Sequence, residues 1–562
     1  MTRLIECVPN FSEGRDPEII SRITERMNSV PGAAVLHVDP GKATNRTVVT
    51  VAGEPDAVAE AAFRGIAVAA ELIDMGTHHG EHPRMGATDV CPFVPISGVT
   101  MEEAAELARA LATRVGRELN IPVYLYEAAQ PNPARRRLPD IREGEYEGLE
   151  RKLADPAWKP DFGPDRFNAR SGATVIGARD FLVAYNVNLN TMSTRRANAV
   201  AFDIREAGRP LREGGSLTGK VVSGPDGAPL MEPGALKAVK AIGWFIDEYG
   251  SAQVSMNLTD LSVTPIHVAF DTVEESARER GMRVTGSELV GLVPLAAMLD
   301  AGRHYLRKQR RSLGVSEREL IHIAVRSLGL NEFSPFVPDD RIIEYKLRDP
   351  ADRRLVGMTL DGFVTETAAE SPAPGGGSVS AAVGAMAASL ATMVANLSSH
   401  KRGWDDRWEE FSIWAERGQA IQAELLRLVD ADTRAFDAVL AAMQLPRETE
   451  DEKRARRSAL DTATVAAARI PFAVMQRSIE VFDVAQAMAE TGLPASVSDA
   501  GVAACCARTA VRGAWLNVRI NAGTLKDRSL VQPMLDEGVT LVAEADRREG
   551  EILTIVDGKI AW

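Results

Sequence analysis

The 562-residue sequence is poor in cysteine. Its four (Cys7, Cys91, Cys505, Cys506) show no CxxC spacing, and the adjacent pair does not readily close a low-strain bridge. This excludes a disulfide-stapled scaffold and leads us to expect a reducing, cytoplasmic setting. An export signal is missing as well: MTRLIECVPNF has no apolar stretch of signal-peptide length and places Glu6 near its start. Long blocks of one charge sign are absent. The 65 Lys+Arg and 78 Asp+Glu give −13, spread along the chain, which argues against a nucleic acid or an anionic membrane as partner. An anionic small substrate would need basic pockets set into an acidic protein. One run, Ser378 to Leu397, carries no charge over a length that would span a bilayer. It is built of Ala, Ser, Gly and Thr, which transfer weakly to lipid and suit close helix packing, so a buried helix is expected.

The composition, 45% hydrophobic and 25% charged, is that of an ordinary globular chain long enough for about three domains. Residues 1–180 mix strand-like runs (Ala33 to Val38, Arg46 to Val51) with an Ala-rich helix (Pro55 to Ile73). A second such stretch begins with ATVIGARDFLVAYNVNL (Ala173 to Leu189), has a helix starting near Thr194, contains a Gly/Pro-rich loop or short hairpin at Glu206 to Gly234, and gives a second subdomain over 181–335. Beyond about Thr359 nearly every segment is Ala-rich with helical periodicity. The expected fold is therefore two α/β subdomains (mixed sheets with helices), a linker over 336–358, and an all-α helical-bundle domain over 359–562.

The segment ELIDMGTHHGEHPRMGATDVCPFVP concentrates His78, His79, Glu81, His82, Arg84 and Asp89 between glycines and prolines. His78 and His82 are four apart, as in zinc helices, but Pro83 and Gly80 spoil the helix that would bring them to one face, so no metal is expected. Two readings remain. Either the histidines satisfy backbone carbonyls in a structural loop, or an imidazole acts as a base beside Arg84 as an anion clamp.

In the helical part, SPAPGGGSVSAAVGAM sets three glycines before a helix, either as a tight turn or as backbone N–H groups that hold an anionic or polar ligand edge; no GK[ST] follows. In IQAELLRLVDADTRAFDAVLAAM, a count of 100° per residue puts Asp432 on the stripe of Leu428, Val429, Phe436, Val439, Leu440 and Met443. Asp430 projects to the opposite half with Arg434, as a solvated i,i+4 pair. A carboxyl on a core-facing stripe is either paired with a buried cation or carries a raised pKa, which a general acid needs.

These segments carry a resemblance. The histidine loop, with IECVPNFSEG, DPGKATNRTV, IPVYLYEAA, DFGP and GSELVGLVP, closely resembles glutamate formimidoyltransferase through both α/β subdomains. The resemblance makes His82 the catalytic residue and places the folate-binding stretch at Gly163, Pro164, Asp165, Arg166, Phe167, Asn168, Ala169, Arg170, Ser171 and Gly172. Its centre, Asp165 to Arg170, departs from the vertebrate enzymes. Both substrates of that reaction, N-formimidoyl-L-glutamate and tetrahydrofolate, are polyanions, and Lys42, Arg46 and Arg84 are the candidate local cations.

The glycine segment, LVDADTRAF, LPRET, SVSDAGVAA and LNVRIN resemble formimidoyltetrahydrofolate cyclodeaminase. That family's proposed catalytic aspartate corresponds to Asp432, with Gly375, Gly376, Gly377 and Ser378 as substrate-binding candidates. His400 stands where relatives commonly place glycine before a basic pair. Together the resemblances imply a bifunctional folate enzyme of histidine degradation that takes tetrahydrofolate, polyglutamylated, as co-substrate. They also imply a homo-oligomer without metal, nucleic acid or membrane partners. Two alternatives are a transferase with a non-catalytic helical assembly domain and a non-catalytic folate-binding scaffold.

Overall fold

The computed structural model describes residues 3–215, 219–348, 353–371 and 373–560. Residues 349–352 of the expected linker, 216–218 of the Glu206 to Gly234 loop and Pro372 of the glycine segment lie outside the described residues. The chain forms two units: Met1–Ala301 with Ala324–Leu347, and Gly302–Ile323 with Arg348–Trp562.

The first unit opens with a seven-stranded sheet built from β1 (Leu4–Cys7), β2 (Asn10–Phe11), β3 (Ala33–Gly41), β4 (Arg46–Gly53), β5 (Thr88–Ser97), β6 (Val123–Glu127) and β7 (Thr174–Ala178). The short β1 and β2 lie between β4 and β5, and β3 pairs β4 at one side. Pairing is antiparallel up to β5, after which β5–β7 and β7–β6 run parallel. Asn45, at φ 47°, turns β3 back into β4.

One face is covered by α1 (Pro17–Asn28), α2 (Pro55–Leu72) and α3 (Met101–Glu118). The Asp16 carboxylate caps α1 by accepting from Glu18 and Ile19 N–H, and Thr100 with Glu103 forms a capping box on α3. The other face meets α4 (Leu138–Arg142) and α5 (Glu145–Leu153) around Tyr124, Tyr126, Ile141 and Leu149.

A second, wholly antiparallel sheet has the order β11-β12-β8-β13, from β8 (Val183–Leu189), β11 (Val239–Ile246), β12 (Ser251–Leu258) and β13 (Val284–Val290). Strand alternation sends Tyr185, Val187, Val254 and Met256 towards α6 (Thr194–Ile204) and α7 (Ile266–Glu279), and Asn186, Asn188, Gln253 and Ser255 to the opposite face. The Glu206 to Gly234 loop contains a small hairpin, β9 (Arg209–Pro210) and β10 (Met231–Glu232). Helices α8 (Leu295–Lys308), α9 (Glu317–Leu328), α10 (Pro338–Arg341) and α11 (Ile343–Lys346) follow.

The second unit is helical: α12 (Leu360–Thr367), α13 (Gly376–Ser399), α14 (Trp408–Met443), α15 (Glu450–Thr491), α16 (Val497–Thr524) and α17 (Gln532–Lys559). The uncharged run forms α13. Although it is long and apolar enough to span a membrane, it packs against α14, α15 and α16 with Ala381, Ala388, Ala391 and Ala395 in the core. The small residues have a geometric cause. A Cβ on Gly384 would lie 2.7 Å from Ser478 Oγ and 3.3 Å from Ala510 Cβ and Leu425 Cδ1, so larger side chains would force three helices apart. The mixed α/β first half and helical second half agree with the fold class read from the sequence.

Candidate active sites

In the first unit the histidine-rich segment is the irregular connection from α2 to β5, and its histidines are held in different ways. His78 is buried, with Nε2 2.8 Å from the Asn45 carbonyl. A carbonyl only accepts, so Nε2 carries the proton and Nδ1 accepts from Arg84 Nε at 3.3 Å. Burial is the main cause that lowers the His78 pKa. This is the structural role foreseen as one of the two readings, and it falls to His78.

The sequence reading of Arg84 as a clamp for a substrate carboxylate is corrected. The Arg84 guanidinium is buried and already grips Glu147 at 2.7 and 2.9 Å and Glu145 at 3.2 Å, both at the start of α5, while NH2 also donates to the His78 carbonyl. These carboxylates line a shallow cavity with His79, Gly80 and Gly144. Arg84 thus ties the loop to α5.

His82 faces a different cation. Its Nε2 lies 2.7 Å from Arg46 NH1, and because arginine only donates, Nε2 holds the lone pair and the ring is neutral. Burial lowers the His82 pKa, the Arg46 and Arg142 charges lower it further, and Asp89 opposes them. Asp89 is fully buried, accepts from Met85 N–H at 3.0 Å and pairs with Arg142 of α4. Burial raises the Asp89 pKa, and Arg142 resists. Lys42 is exposed in the turn between β3 and β4, and its ammonium makes no ion pair among the described residues.

The stretch Gly163 to Gly172 is stitched to this loop. Ser171 O accepts from Ala87 N–H at 2.9 Å, Met85 O accepts from Ala173 N–H at 3.0 Å, and Gly86 and Gly172 form an antiparallel bridge. Gly172, at φ 66°, is required here: a Cβ would come within 2.1 Å of the Met85 carbonyl oxygen. Within the stretch, Phe167 tilts against Tyr146 with ring centroids 5.4 Å apart, Asn168 Oδ1 accepts from Ser171 N–H, and Arg170 donates to the Glu71 carbonyl. Asp165 lies 3.7 Å from Lys159, and Arg166 is exposed. The structure therefore brings His82, Arg46 and the glycine-bounded stretch to one end of the first sheet. Arg142 and the Glu145–Glu147 pair were missed by sequence reasoning; their sequence neighbourhood, DIREGEYEG, carries no spacing that marks them.

In the second unit, α13 begins at Gly376 with no side-chain cap of its own, and the missing partner comes from α14. Ser378 Oγ donates to Asp432 Oδ2 at 3.1 Å and lies 3.0 Å from the Val429 carbonyl. Gly377 has to be glycine for this to occur, because a Cβ there would sit 2.2 Å from Asp432 Oδ1. Asn517 closes the other side, 2.9 Å from where a Gly376 Cβ would stand. Burial raises the Asp432 pKa, opposed by the Ser378 hydroxyl and backbone N–H. No cation pairs with Asp432 among the described residues, so of the two sequence alternatives the structure favours the raised pKa over the buried ion pair.

Two expectations around this site change. Asp430 is not on a solvated face. It is 3% exposed, and its carboxylate accepts from Leu355 N–H at 2.7 Å and Val356 N–H at 3.2 Å, fastening the segment that precedes α12. Phe436 and Met443, placed on the apolar stripe, are 38% and 49% exposed, while Val439 is buried and Leu440 half-buried, so the stripe keeps only part of its cover beyond Asp432. His400 caps the far end of α13, about 36 Å from the glycine start at 1.5 Å per residue, and its departure from the family pattern touches nothing at Asp432.

Comparison with known proteins joins the two halves. Residues 4–179 match the family described as formiminotransferase domain, N-terminal subdomain, residues 184–348 the formiminotransferase domain, and residues 359–539 formiminotransferase-cyclodeaminase. The formimidoyltransferase-cyclodeaminase of Mus musculus is 42% identical over 561 residues, covering 100% of both chains. A glutamate formimidoyltransferase of Streptococcus pyogenes serotype M1 is 39% identical over 307 residues, 55% of this chain and 94% of its own. A methenyltetrahydrofolate cyclohydrolase of Methylorubrum extorquens is 36% identical over 202 residues, 36% of this chain and 97% of its own. With relatives matched from end to end and all three of its segments assigned, the chain belongs to the formimidoyltransferase-cyclodeaminase family.

Proposed function

We propose that the protein transfers the formimidoyl group of N-formimidoyl-L-glutamate to tetrahydrofolate in its first unit and closes 5-formimidoyltetrahydrofolate to 5,10-methenyltetrahydrofolate, with release of ammonia, in its second. The observation that carries this reading is that each unit holds one proton-transfer group biased to its uncharged form: the His82 imidazole beside Arg46 and the cation-free Asp432 carboxyl at the start of α13.

In transfer, N5 of the folate attacks the formimidoyl carbon and the bond from that carbon to the glutamate nitrogen breaks. As Arg46 turns to the substrate carboxylates it releases the His82 Nε2 lone pair, which takes the N5 proton and returns it to the departing nitrogen. Arg46 and Lys42 supply positive charge for the substrate carboxylates in an acidic protein. The stretch Gly163 to Gly172 holds the folate. In ring closure, N10 attacks the same carbon, the Asp432 acid protonates the carbon's amino nitrogen, which leaves as ammonia, and the resulting carboxylate takes the N10 proton, while backbone N–H groups at Gly375 to Ser378 hold the ligand edge. Tetrahydrofolate, polyglutamylated, serves as co-substrate, and no metal takes part. The protein acts in cytoplasmic histidine degradation as a homo-oligomer. By domain, 1–180 and 181–335 form the transferase, 336–358 the linker and 359–562 the cyclodeaminase.

The test crosses two variants. His82→Ala should lose transfer by about 10²- to 10⁴-fold while still cyclising supplied 5-formimidoyltetrahydrofolate. Asp432→Asn should consume formimidoyl-glutamate and accumulate the 5-formimidoyl product with little ammonia. Wild-type rates in either folded variant would remove that residue from the reading. The Methylorubrum relative's name gives the helical unit a second reading, water addition to the methenyl product. Formation of a formyl-folate without ammonia release would favour it.

A further inference from the structure

The second sheet of the first unit carries a row of amides on the face opposite α6 and α7. One side lies under α6 and α7; the other carries Asn186 and Asn188 on β8, Gln253 and Ser255 on β12, and Glu288 on β13, opposed in register. The amides form a ladder: Gln253 Nε2 donates to Asn188 Oδ1 at 3.1 Å and Ser255 Oγ to Asn186 Oδ1 at 2.8 Å. An isolated structural ladder would close on itself, and this one does not. Asn188 is 0% exposed, yet its Nδ2 has no hydrogen-bond partner. Glu288 is half-buried and makes no ion pair among the described residues; its two oxygens receive only long bonds of 3.4 Å, from Asn186 Nδ2 and the Tyr249 hydroxyl.

Aromatic rings flank that carboxylate. Tyr249 packs against Phe333 at 4.9 Å between centroids, and Phe333 reaches the sheet because residue 286 is glycine: a Cβ there would meet the Phe333 ring at 2.7 Å. Gly286 is opposite Asn188 in the ladder, so the ring pair stands on the same polar face as the orphaned amide and Glu288. A bidentate acceptor without a cation, set among flat rings and an unused donor, is complementary to a planar ligand that presents two parallel N–H groups and a neighbouring acceptor.

We propose that Glu288 is a substrate-binding carboxylate that accepts two N–H bonds from an amidine-type edge. This rests on the transferase reading, since both substrates there carry such an edge: the 2-amino and N3–H groups of the pteridine, and the formimidoyl amidine of formimidoyl-glutamate. The anionic parts of both ligands are excluded by charge, so the carboxylate selects the amidine end in either case.

The test measures transfer kinetics of the full chain with Glu288→Gln and Glu288→Asp, each checked for a wild-type Tm. Loss of one charged bidentate acceptor should raise one KM at least tenfold with kcat within threefold. A rise confined to tetrahydrofolate assigns the pteridine, and 2-desamino-tetrahydrofolate should then show the same KM with the wild-type enzyme and the Glu288→Gln variant. A rise confined to formimidoyl-glutamate assigns the amidine. Both KM values within twofold of wild type in a folded variant would overturn the proposal, as would failure of both variants to fold, which would make the carboxylate structural. Absence of transfer in the wild-type protein would instead sink the function on which the proposal rests.

Discussion

At the scale of single residues, the decisive fact is that His82 faces a guanidinium while it is half shielded from water. Both effects favour the neutral ring, so the base form should persist below the usual histidine range of about 6.5. The acid limb of kcat/KM for transfer is therefore expected below about pH 6.5, and Arg46→Gln should move it upward while raising the KM of the anionic substrates; a limb unchanged by Arg46→Gln would dissociate the pair. The stability linkage has the matching sign. A histidine whose folded pKa is depressed leaves stability intact above the unfolded value and erodes it as pH falls through the window between the two values. His82 was visible in the sequence because titratable groups crowd a short loop between glycines and prolines. Arg142 was not, because it reaches Asp89 across 53 positions that no periodicity connects. Arg84 was visible but misread: spacing along the chain shows that it is near His82, but not that Glu145 and Glu147, from another segment, already hold it.

At the scale of elements, α14 does two tasks on one turn. Asp432 meets the start of α13, and Asp430 holds the backbone before α12. Asp430→Asn leaves one carbonyl to accept where two oxygens accepted, and should cost about 1–3 kcal/mol in urea denaturation, with ring closure lost only in proportion to unfolding. An unchanged midpoint would contradict the observed bonds. Gly377→Ala acts on the other residue: its methyl would overlap the Asp432 carboxyl, so ring closure should fall at least about tenfold while transfer is retained, and equal loss of both activities would point to general misfolding. A helical wheel gave the direction of Asp432 correctly because its neighbours are other helices. It failed for Asp430 because the cover there is an irregular strand of backbone, Leu355 and Val356, which no periodicity of α14 announces. The same wheel placed Phe436 and Met443 inward, whereas the covered side of this last stretch runs through Val439 and Ala442.

At the scale of the whole molecule, the two units are interleaved along the chain. Composition changes near Thr359, whereas the boundaries at 301/302 and 323/324 fall inside α8 and α9, where no change of pattern marks them, and this hides the fact that Gly302–Ile323 packs with the later unit. Within that unit Leu313 N–H donates to Ser412 Oγ at 2.9 Å, Asn396 Nδ2 donates to the Gly314 carbonyl, and a Cβ on Gly314 would collide with Ala415. A fragment of 359–562 should therefore unfold at a lower urea concentration than one in which 302–323 is fused ahead of it through a flexible linker; coincident transitions would show that the excursion contributes nothing. The arrangement also sets a timetable. Leu313 leaves the ribosome 99 residues before Ser412, a wait of about 5–20 s at ordinary synthesis rates. Through that interval a basic segment, with Arg307, Lys308, Arg310 and Arg311 ahead of Leu313, stands without the helices that receive it, so the second unit is completed only after synthesis has passed Ser412.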